Sequence, residues 1–528
     1  MYGQTHPLGP MHACLNVDEI FRLIVGELVE SKSKATAVAL ACCCKNFEGP
    51  VSDALWETQE ELLPLLKSLP VDVWNEGGYT VSAPKTYVFP PLNCFIRKSF
   101  KRHPTTLEWA RFRKHARKIR KLREPEEIAR VLSLEVFSVL QLCAISEPFF
   151  SNLKTLELWS VDEKSIPLIP LFLSPRTAII EIRFSRWNPP AAVVAPIVAA
   201  IPILCPSLQK IDFNFTPRDP IVVTAVSRML LANNRNTLQS VHVDSPLTEE
   251  ASKVIFRLPN LRELSVVAKR DTSLPSMGLP NLTRLTIACD REGDWLSMFR
   301  GATFGKLQAV TFCPESKQIG NFLEAFEVVA LAASIQNTLS EFHLYTPFSW
   351  NPNYTSLLPF THLTDITIES RCSDGCSSRV DDDVVVNIAQ AMPKLEILRL
   401  GDSPCHEIPI GVTVKGLVAL ANRCPDLYSL RIHFQVASLS ALPAIHEPIP
   451  NVGPIVLRRD CILRVLDVGE IFMREDSVSM VALTLARIFP HPEFIDYIDE
   501  DWEKVMNIIR LSRGTIDYSG RKLPPSIS

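Results

Sequence analysis

The chain has 528 residues, enough for several domains or for one extended array with an appendage. Apolar residues at 46% and charged ones at 21% exclude a disordered chain, and a formal net charge of −3 excludes a global pull toward nucleic acid or an anionic membrane. Fourteen scattered cysteines, with no basic-then-apolar leader in Met1 to His12, point to reduced thiols and a cytoplasmic or nuclear setting.

Residues 1–13 read as a disordered lead, and residues 14–70 as a small helical domain. Leu15, Val17, Ile20, Ile24 and Leu28 follow helical spacing, with Asp18 and Glu19 in the first turn where carboxylates suit the helix dipole. Asn16 serves as the expected cap. A dense small-apolar run from Ala35 to Cys44 contains Leu40, and Val51 to Trp56 closes a third short helix on Leu55-Trp56. Cys42, Cys43 and Cys44 read as buried free thiols, since no His or Cys stands beside them at zinc-ligand spacing. Glu57 to Pro70 reads as a leucine helix with Pro64 inside it.

Residues 71–116 read as a connecting arm and a basic helix, with Trp74, Tyr79, Tyr87 and Phe89 packing on the repeats that follow. Between Arg97 and Arg123 stand twelve Lys or Arg against the single acid Glu108. Trp109, Phe112, Ala116, Ile119 and Leu122 recur there at helical spacing, predicting an amphipathic helix that caps the first repeat with its basic side in water. A nuclear address, a nucleic-acid contact or a dock for an acidic partner are alternative uses of the same charges. Glu124-Pro125 then opens a further helix.

Residues 117–475 repeat one hexamer with apolar side chains at its first, fourth and sixth places. It stands at Leu153/Leu156/Leu158, Ile179/Ile182/Phe184, Leu208/Ile211/Phe213, Leu238/Val241/Val243, Leu261/Leu264/Val266 and Leu282/Leu285/Ile287. It continues at Leu307/Val310/Phe312, Leu339/Phe342/Leu344, Leu363/Ile366/Ile368, Leu395/Leu398/Leu400, Leu427/Leu430/Ile432 and Leu463/Leu466/Val468. The copies begin 21 to 36 residues apart, the spacing of a solenoid. The fourth and sixth residues share one face of a short strand, and the first enters the same interior from the preceding turn. One repeat cannot enclose three such side chains, so neighbours must stack.

Between strands the period becomes helical. Thr413 is placed to cap a helix bearing Leu417, Leu420, Ala421 and Cys424. Asp381 caps one bearing Val384 or Val385, Ile388 and Met392, and Phe322, Phe326, Val329 and Ala333 form a third face. Prolines such as Pro206, Pro259, Pro393 and Pro425 stop the chain from continuing as helix before the next strand. The uncharged run from Trp187 to Gln209 carries five prolines and reads as a repeat's helix and loop, not a membrane span. Residues 476–513 read as capping helices with Trp502, Val505, Ile508 and Ile509 inward, and residues 514–528 as a loose tail.

No phosphate-cradling glycine loop, nucleophile elbow or zinc-protease helix stands anywhere in the chain, so the expectation is a non-enzyme with no cofactor or metal. Cys372 and Cys376 read as loop residues, and Cys405-His406 and His491 as isolated. What the repeats offer is the strand residues between the core positions. The candidate contacts are Glu157, Trp159, Lys210, Asp212, Asn214, His242, Asp244, Glu341, His343, Tyr345, Arg399, Arg431 and His433, a surface of mixed charge with aromatics suited to a protein and not to a nucleic-acid track.

The helix–proline–strand wiring resembles the long, irregular leucine-rich repeats of F-box proteins, an α/β horseshoe solenoid. The N-terminal order also resembles an F-box: Glu19-Ile20, Leu23-Ile24, Cys43-Cys44-Lys45, then Leu55-Trp56, although Asn16 follows Leu15 where F-boxes carry proline. The layout is similar to the F-box proteins numerous in mushroom-forming fungi. The resemblance implies a Skp-type adaptor bound through Leu15, Val17, Ile20, Ile24, Leu28, Leu40, Leu55 and Trp56, a cullin–RING ubiquitin ligase beyond it, and an unknown protein substrate on the repeats. A leucine-rich-repeat scaffold whose N-terminal helices merely cap the solenoid is the alternative.

Overall fold

The computed structural model describes residues 17–31, 33–75, 99–125, 134–144, 148–161, 166–184, 190–214, 220–232, 236–268, 279–289, 304–314, 333–346, 354–370, 380–401, 411–435, 439, 463–469, 477–489, 494–497 and 501–512. They fall into two compact units, Met1–Ala251 with Leu258–Asn260 and Ser252–Arg257 with Leu261–Ser528.

The first unit opens with α1 (Asp18–Glu30), α2 (Lys34–Cys43) and α3 (Lys45–Glu57). Phe21, Val25, Ala37 and Val51 are their buried centre, and Phe21 stacks on Phe47 at 4.3 Å. Val17, not Asn16, is the N-cap of α1 and makes no side-chain bond there. Asp18 and Glu19 meet the helix dipole instead. Cys42, Cys43 and Cys44 are exposed, contrary to expectation. Ala37 is the one fully buried residue of α2; Leu40 and Ala41 of its last turn pack half-buried on the bundle core, while Cys42 and Cys43 stay outside it.

The chain does not continue as a leucine helix after Glu57. Thr58–Gln59 forms strand β1, and Pro64 lies in the first turn of the short α4 (Leu63–Leu66), where its missing N–H costs nothing. Strands β2 (Trp74–Asn75) and β3 (Ser99–Phe100) pair antiparallel, with Trp74 stacked on Phe100 at 5.1 Å. Tyr79, Tyr87 and Phe89 lie outside the described residues.

Helix α5 (Thr106–Ala116) starts with a capping box between Thr105 and Glu108 and buries Trp109, Phe112 and Ala116. It stops there. Ile119 and Leu122 are buried as the first and fourth residues of a rung whose strand is β4 (Lys121–Pro125), so Glu124-Pro125 ends a strand instead of opening a helix. An apolar spacing of three suits a helix and this frame equally, which is why the two are confused. The next helix among the described residues is α6 (Leu134–Ala144).

Strands β5 (Thr155–Val161), β6 (Ile179–Phe184), β7 (Lys210–Asn214) and β8 (Ser240–Pro246) follow β4, all parallel, with β1 on the other side of β4. Leu156, Ile180, Ile211 and Val241 form one buried row, and Leu158, Ile182, Phe213 and Val243 the next. This register corrects one repeat. Because Ile180 stands beside Leu156, the frame is Thr177/Ile180/Ile182 and not Ile179/Ile182/Phe184; Ile179 and Phe184 are half-buried. Thr177 is fully buried because its hydroxyl is satisfied, donating to the Leu153 carbonyl at 3.2 Å and accepting the Ser174 N–H at 3.1 Å. Helices α7 (Ile169–Phe172), α8 (Ala191–Leu204) and α9 (Pro220–Leu231) lie between these strands, and α8 buries Val194, Val198 and Ile201 despite its two internal prolines. Among the described residues no helix is long and apolar enough to cross a membrane.

In the second unit nine strands run parallel in chain order: β9 (Glu263–Ala268), β10 (Arg284–Cys289), β11 (Ala309–Pro314), β12 (Glu341–Thr346), β13 (Asp365–Ser370), β14 (Ile397–Leu400), β15 (Ser429–Ile432), β16 (Val465–Gly469) and β17 (Phe494–Tyr497). The hexamers from Leu261 to Leu466 are buried at first, fourth and sixth places; the Val468 side chain is outside the described residues. Strand β17 carries the pairing one step past the last expected repeat.

Asp381 and Thr413 cap α10 (Asp382–Ala391) and α11 (Val414–Arg423), accepting from Val384 N and Lys415 N. Asp382 ties the two helices together, accepting Thr413 N at 2.8 Å, the Thr413 hydroxyl at 2.6 Å and Gly416 N at 3.0 Å. Gly416 is required at that contact, since a Cβ would stand 2.8 Å from the carboxylate. Phe322, Phe326 and Val329 lie outside the described residues. Helices α12 (Val478–Ile488) and α13 (Asp501–Ser512) bury Val481, Leu485, Trp502, Val505 and Ile509.

One backbone device recurs in both units. The carbonyl just before a strand accepts two N–H groups from the next rung: Lys154 O takes Ala178 and Ile179, Ser340 O takes Thr364 and Asp365, and Glu396 O takes Tyr428 and Ser429. Within each unit this ladder holds the hexamers in one phase, so each core is a set of parallel apolar rows. Leu430→Ala, in a row where Leu398 and Leu430 are both inaccessible, is expected to cost about 2–5 kcal/mol in urea unfolding. A loss below about 1 kcal/mol would contradict this packing.

Candidate functional site

With core positions facing one way, the residues between them line the other face, and the register sets their neighbours. In the first unit Arg123, Glu157, Glu181, Asp212 and His242 stand side by side on β4 to β8. Glu157 is buried, and its two oxygens are held by Lys121 and Arg123 at 2.6 Å each. Burial pushes its carboxyl up, but the hydrogen bonds from Arg123 and Lys121 outweigh that and leave it below its ordinary value. Glu157 is therefore an anchor of this face and not an open contact, a correction that follows from its burial: an unpaired carboxylate there would be costly. Lys210 is likewise engaged, with Glu181 at 2.7 Å.

Trp159 lies between two guanidinium groups, Arg123 at 5.1 Å and Arg183 at 5.6 Å from its ring centroid. Its indole N–H is buried and has no acceptor among the described residues. A carbonyl or carboxylate brought by a partner would satisfy it. Asp212 is pushed above its ordinary value by burial, against the pull of His242. His242 is raised by its hydrogen bond with Asp244 at 3.2 Å, with Asp212 adding to the effect. Asn214 ends β7, beside Arg183.

In the second unit the corresponding row includes Thr311, His343, Thr367, Arg399, Arg431 and Asp467. Arg284 reaches across β11 to Glu341 at 2.8 Å, His343 meets Asp365 at 3.2 Å, and Arg431 lies 3.2 Å from Asp467 and 3.9 Å from Glu369. Tyr345 is 38% exposed, set edge-on to His343 at 6.1 Å, which leaves its ring available to a partner. His433 packs on Gly401, whose φ of 88° favours glycine and where an added Cβ would stand 3.2 Å from the ring. Arg123, Glu181, Arg183, Arg284, Asp365, Glu369 and Asp467 belong to these faces and were missed. For Glu181 the cause is specific: the correct Ile180/Ile182 frame brackets it.

The eight expected adaptor contacts separate. Val17, Ile20 and Ile24 are 42%, 41% and 39% exposed, and Leu23 and Val38 join them at 74% and 49%. Leu28, Leu40 and Leu55 instead pack partly buried on the bundle's own core. Trp56 stacks on His115 of α5 at 4.5 Å, and Leu15 lies outside the described residues. Among the described residues no cluster of three or more His, Cys, Asp or Glu is placed to hold a metal ion.

No protein-family model matches this chain, and no curated protein matches it. Among solved structures it is similar to that of a leucine-rich-repeat protein of Leptospira interrogans, at 11% identity and a TM-score of 0.26, over 76% of this chain and 97% of that one.

The His242–Asp244 contact gives a pH test with a defined sign. A histidine raised on folding contributes stability that is complete below about pH 6.5 and is lost as pH rises through its folded value. An NMR titration is expected to place His242 above its ordinary value, and Asp244→Asn to bring it down. An unchanged titration in Asp244→Asn would remove the contact as the cause.

Proposed function

We propose that this chain is a non-catalytic receptor that binds one protein on its strand faces and a second through its N-terminal bundle. In the sharpest form of this reading the second protein is a Skp-type adaptor, and the chain presents a target protein to a cullin–RING ubiquitin ligase, so its contribution to catalysis is proximity. The observation that carries the proposal is the apolar strip of Val17, Ile20, Leu23, Ile24 and Val38 on a bundle that already has its own buried centre. Side chains not needed for the bundle's core, grouped on its outside, are the pattern of a docking surface. For the target, Trp159 and Tyr345 on rows of mixed charge supply the aromatic anchors on which protein interfaces concentrate their affinity.

The scaffold reading has its own support. Trp56 on His115, Lys118 with Asp53 at 2.9 Å and Arg120 with Glu57 at 3.1 Å tie the bundle to the first rung, as a cap would be tied. The two readings part on the outer strip alone. The double variant Leu23→Asp/Ile24→Asp is expected to lower co-purification with a purified Skp-type adaptor at least tenfold, with an unchanged circular dichroism spectrum. If the intact chain fails to bind the adaptor, or the variant binds equally well, the scaffold reading stands. Trp159→Ala is expected to weaken capture of the target at least tenfold while leaving adaptor binding untouched.

A further inference from the structure

A cleft of about 540 Å³ lies within the first unit, walled by α1 and α3 on one side and by the turns that lead into β4, β5 and β6 on the other. Its lining carries six cations, Arg22, Arg117, Lys118, Arg120, Lys154 and Arg176, against two carboxylates, Asp53 and Glu57. Both carboxylates are already engaged. Asp53 holds Lys118 at 2.9 Å and lies 3.9 Å from Arg22, whose closer partner is Asp18, one turn earlier on α1, at 2.7 Å; Glu57 holds Arg120 at 3.1 Å. Arg176 is steadied by a neutral group, donating to Asn152 Oδ1 at 2.7 Å, while the Asn152 amide donates to the Arg117 carbonyl at 2.7 Å. With Asp18 counted beside Asp53 and Glu57, six cations face three carboxylates, and the cleft keeps three more positive than negative charges, with its cations already positioned.

One wall is bare. Gly26 of α1 lines the cleft, and a Cβ added there would meet nothing within 4 Å. A glycine inside a helix costs roughly 0.5–1 kcal/mol relative to alanine, and here no turn or close backbone approach demands it. Its effect is to keep the space open.

We propose that this cleft binds a small polyanion bearing two or more phosphate groups. Phosphate oxygens accept hydrogen bonds from forked guanidinium groups and from lysine, and several must be neutralised at once, which matches the cations converging from four separate turns and helices. The volume lies within the roughly 300–1,000 Å³ of small-ligand sites. A nucleic-acid strand is disfavoured by the enclosing walls and by the two carboxylates set among the cations. Since the ligand would contact the bundle and the first rungs together, binding would also lock them against each other. The site is distinct from the outer apolar strip, so it stands or falls independently of the adaptor reading.

The test is calorimetric titration of the full chain with inorganic tripolyphosphate, with orthophosphate and a glutamate-rich peptide as separate arms. Saturable binding of one tripolyphosphate per chain is expected, at least tenfold tighter than orthophosphate, with a rise in Tm on saturation. The exposed pair Lys154→Ala/Arg176→Ala is expected to weaken it at least tenfold without lowering the ligand-free Tm. Gly26→Leu, which fills the cleft with a better helix former, is expected to weaken it equally while leaving the ligand-free Tm the same or higher. Absence of saturable binding, equal affinity for orthophosphate, or unchanged affinity in Lys154→Ala/Arg176→Ala would overturn the proposal. Tighter binding of the peptide would overturn it in favour of an acidic protein segment.

Discussion

The structure of each unit depends on the parallel pairing of short strands whose starting carbonyls each accept two N–H groups from the next rung. Hydrophobic burial supplies most of the favourable free energy, but it is non-directional and would tolerate a slipped stack. The hydrogen-bond ladder is directional and removes that freedom. A slip of one residue would turn the fourth and sixth side chains of a rung to the opposite face, exposing two apolar groups and burying the charged row. Register and burial therefore enforce each other, and a polar residue such as Thr177 is admitted at a core position only because Ser174 and the Leu153 carbonyl complete its hydrogen bonds.

The same register makes the opposite face something more than a sum of solvated side chains. Parallel in-register strands place like frame positions about 4.8 Å apart, so charges at one frame position act on each other. In the first unit this gathers Arg123, Glu157, Glu181, Asp212 and His242 into a single row, where burial and neighbouring charge pull against each other from residue to residue. Glu157 ends below its ordinary value because two cations reach it; Asp212 ends above because burial outweighs His242. Such a row is already organised before a partner arrives, which reduces the ordering that binding must impose.

The N-terminal bundle follows a different rule. Four residues form its buried centre, too few to enclose three helices completely, and the remaining apolar side chains divide between half-buried packing and open surface. Electrostatic ties through Asp53 and Glu57 join it to the first rung, where the excess of arginine and lysine also defines the charged cleft. The basic stretch between Arg97 and Arg123 is thereby put to several uses: a capped helix, a strand, and one wall of that cleft.

The repeat and its burial are legible from the order of residues alone. Eleven of the twelve hexamers were read in frame, because three apolar residues at fixed places and a polar residue between them state a strand's two faces locally. The caps at Asp381 and Thr413 were legible for the same reason, each being a contact within one turn. What only the tertiary structure decided is whatever depends on a neighbour distant in the chain. Thr177 could replace leucine because of a carbonyl 24 residues away. Ile119 and Leu122 fit a helical period locally, and only pairing with β5 makes them a rung. Cys42 to Cys44 are exposed because the bundle's core takes Ala37, Leu40 and Ala41 of that helix and not the cysteines. Arg22, Lys118, Lys154 and Arg176 line one cleft because stacking folds the chain's linear order into adjacent turns, a juxtaposition that no local periodicity encodes.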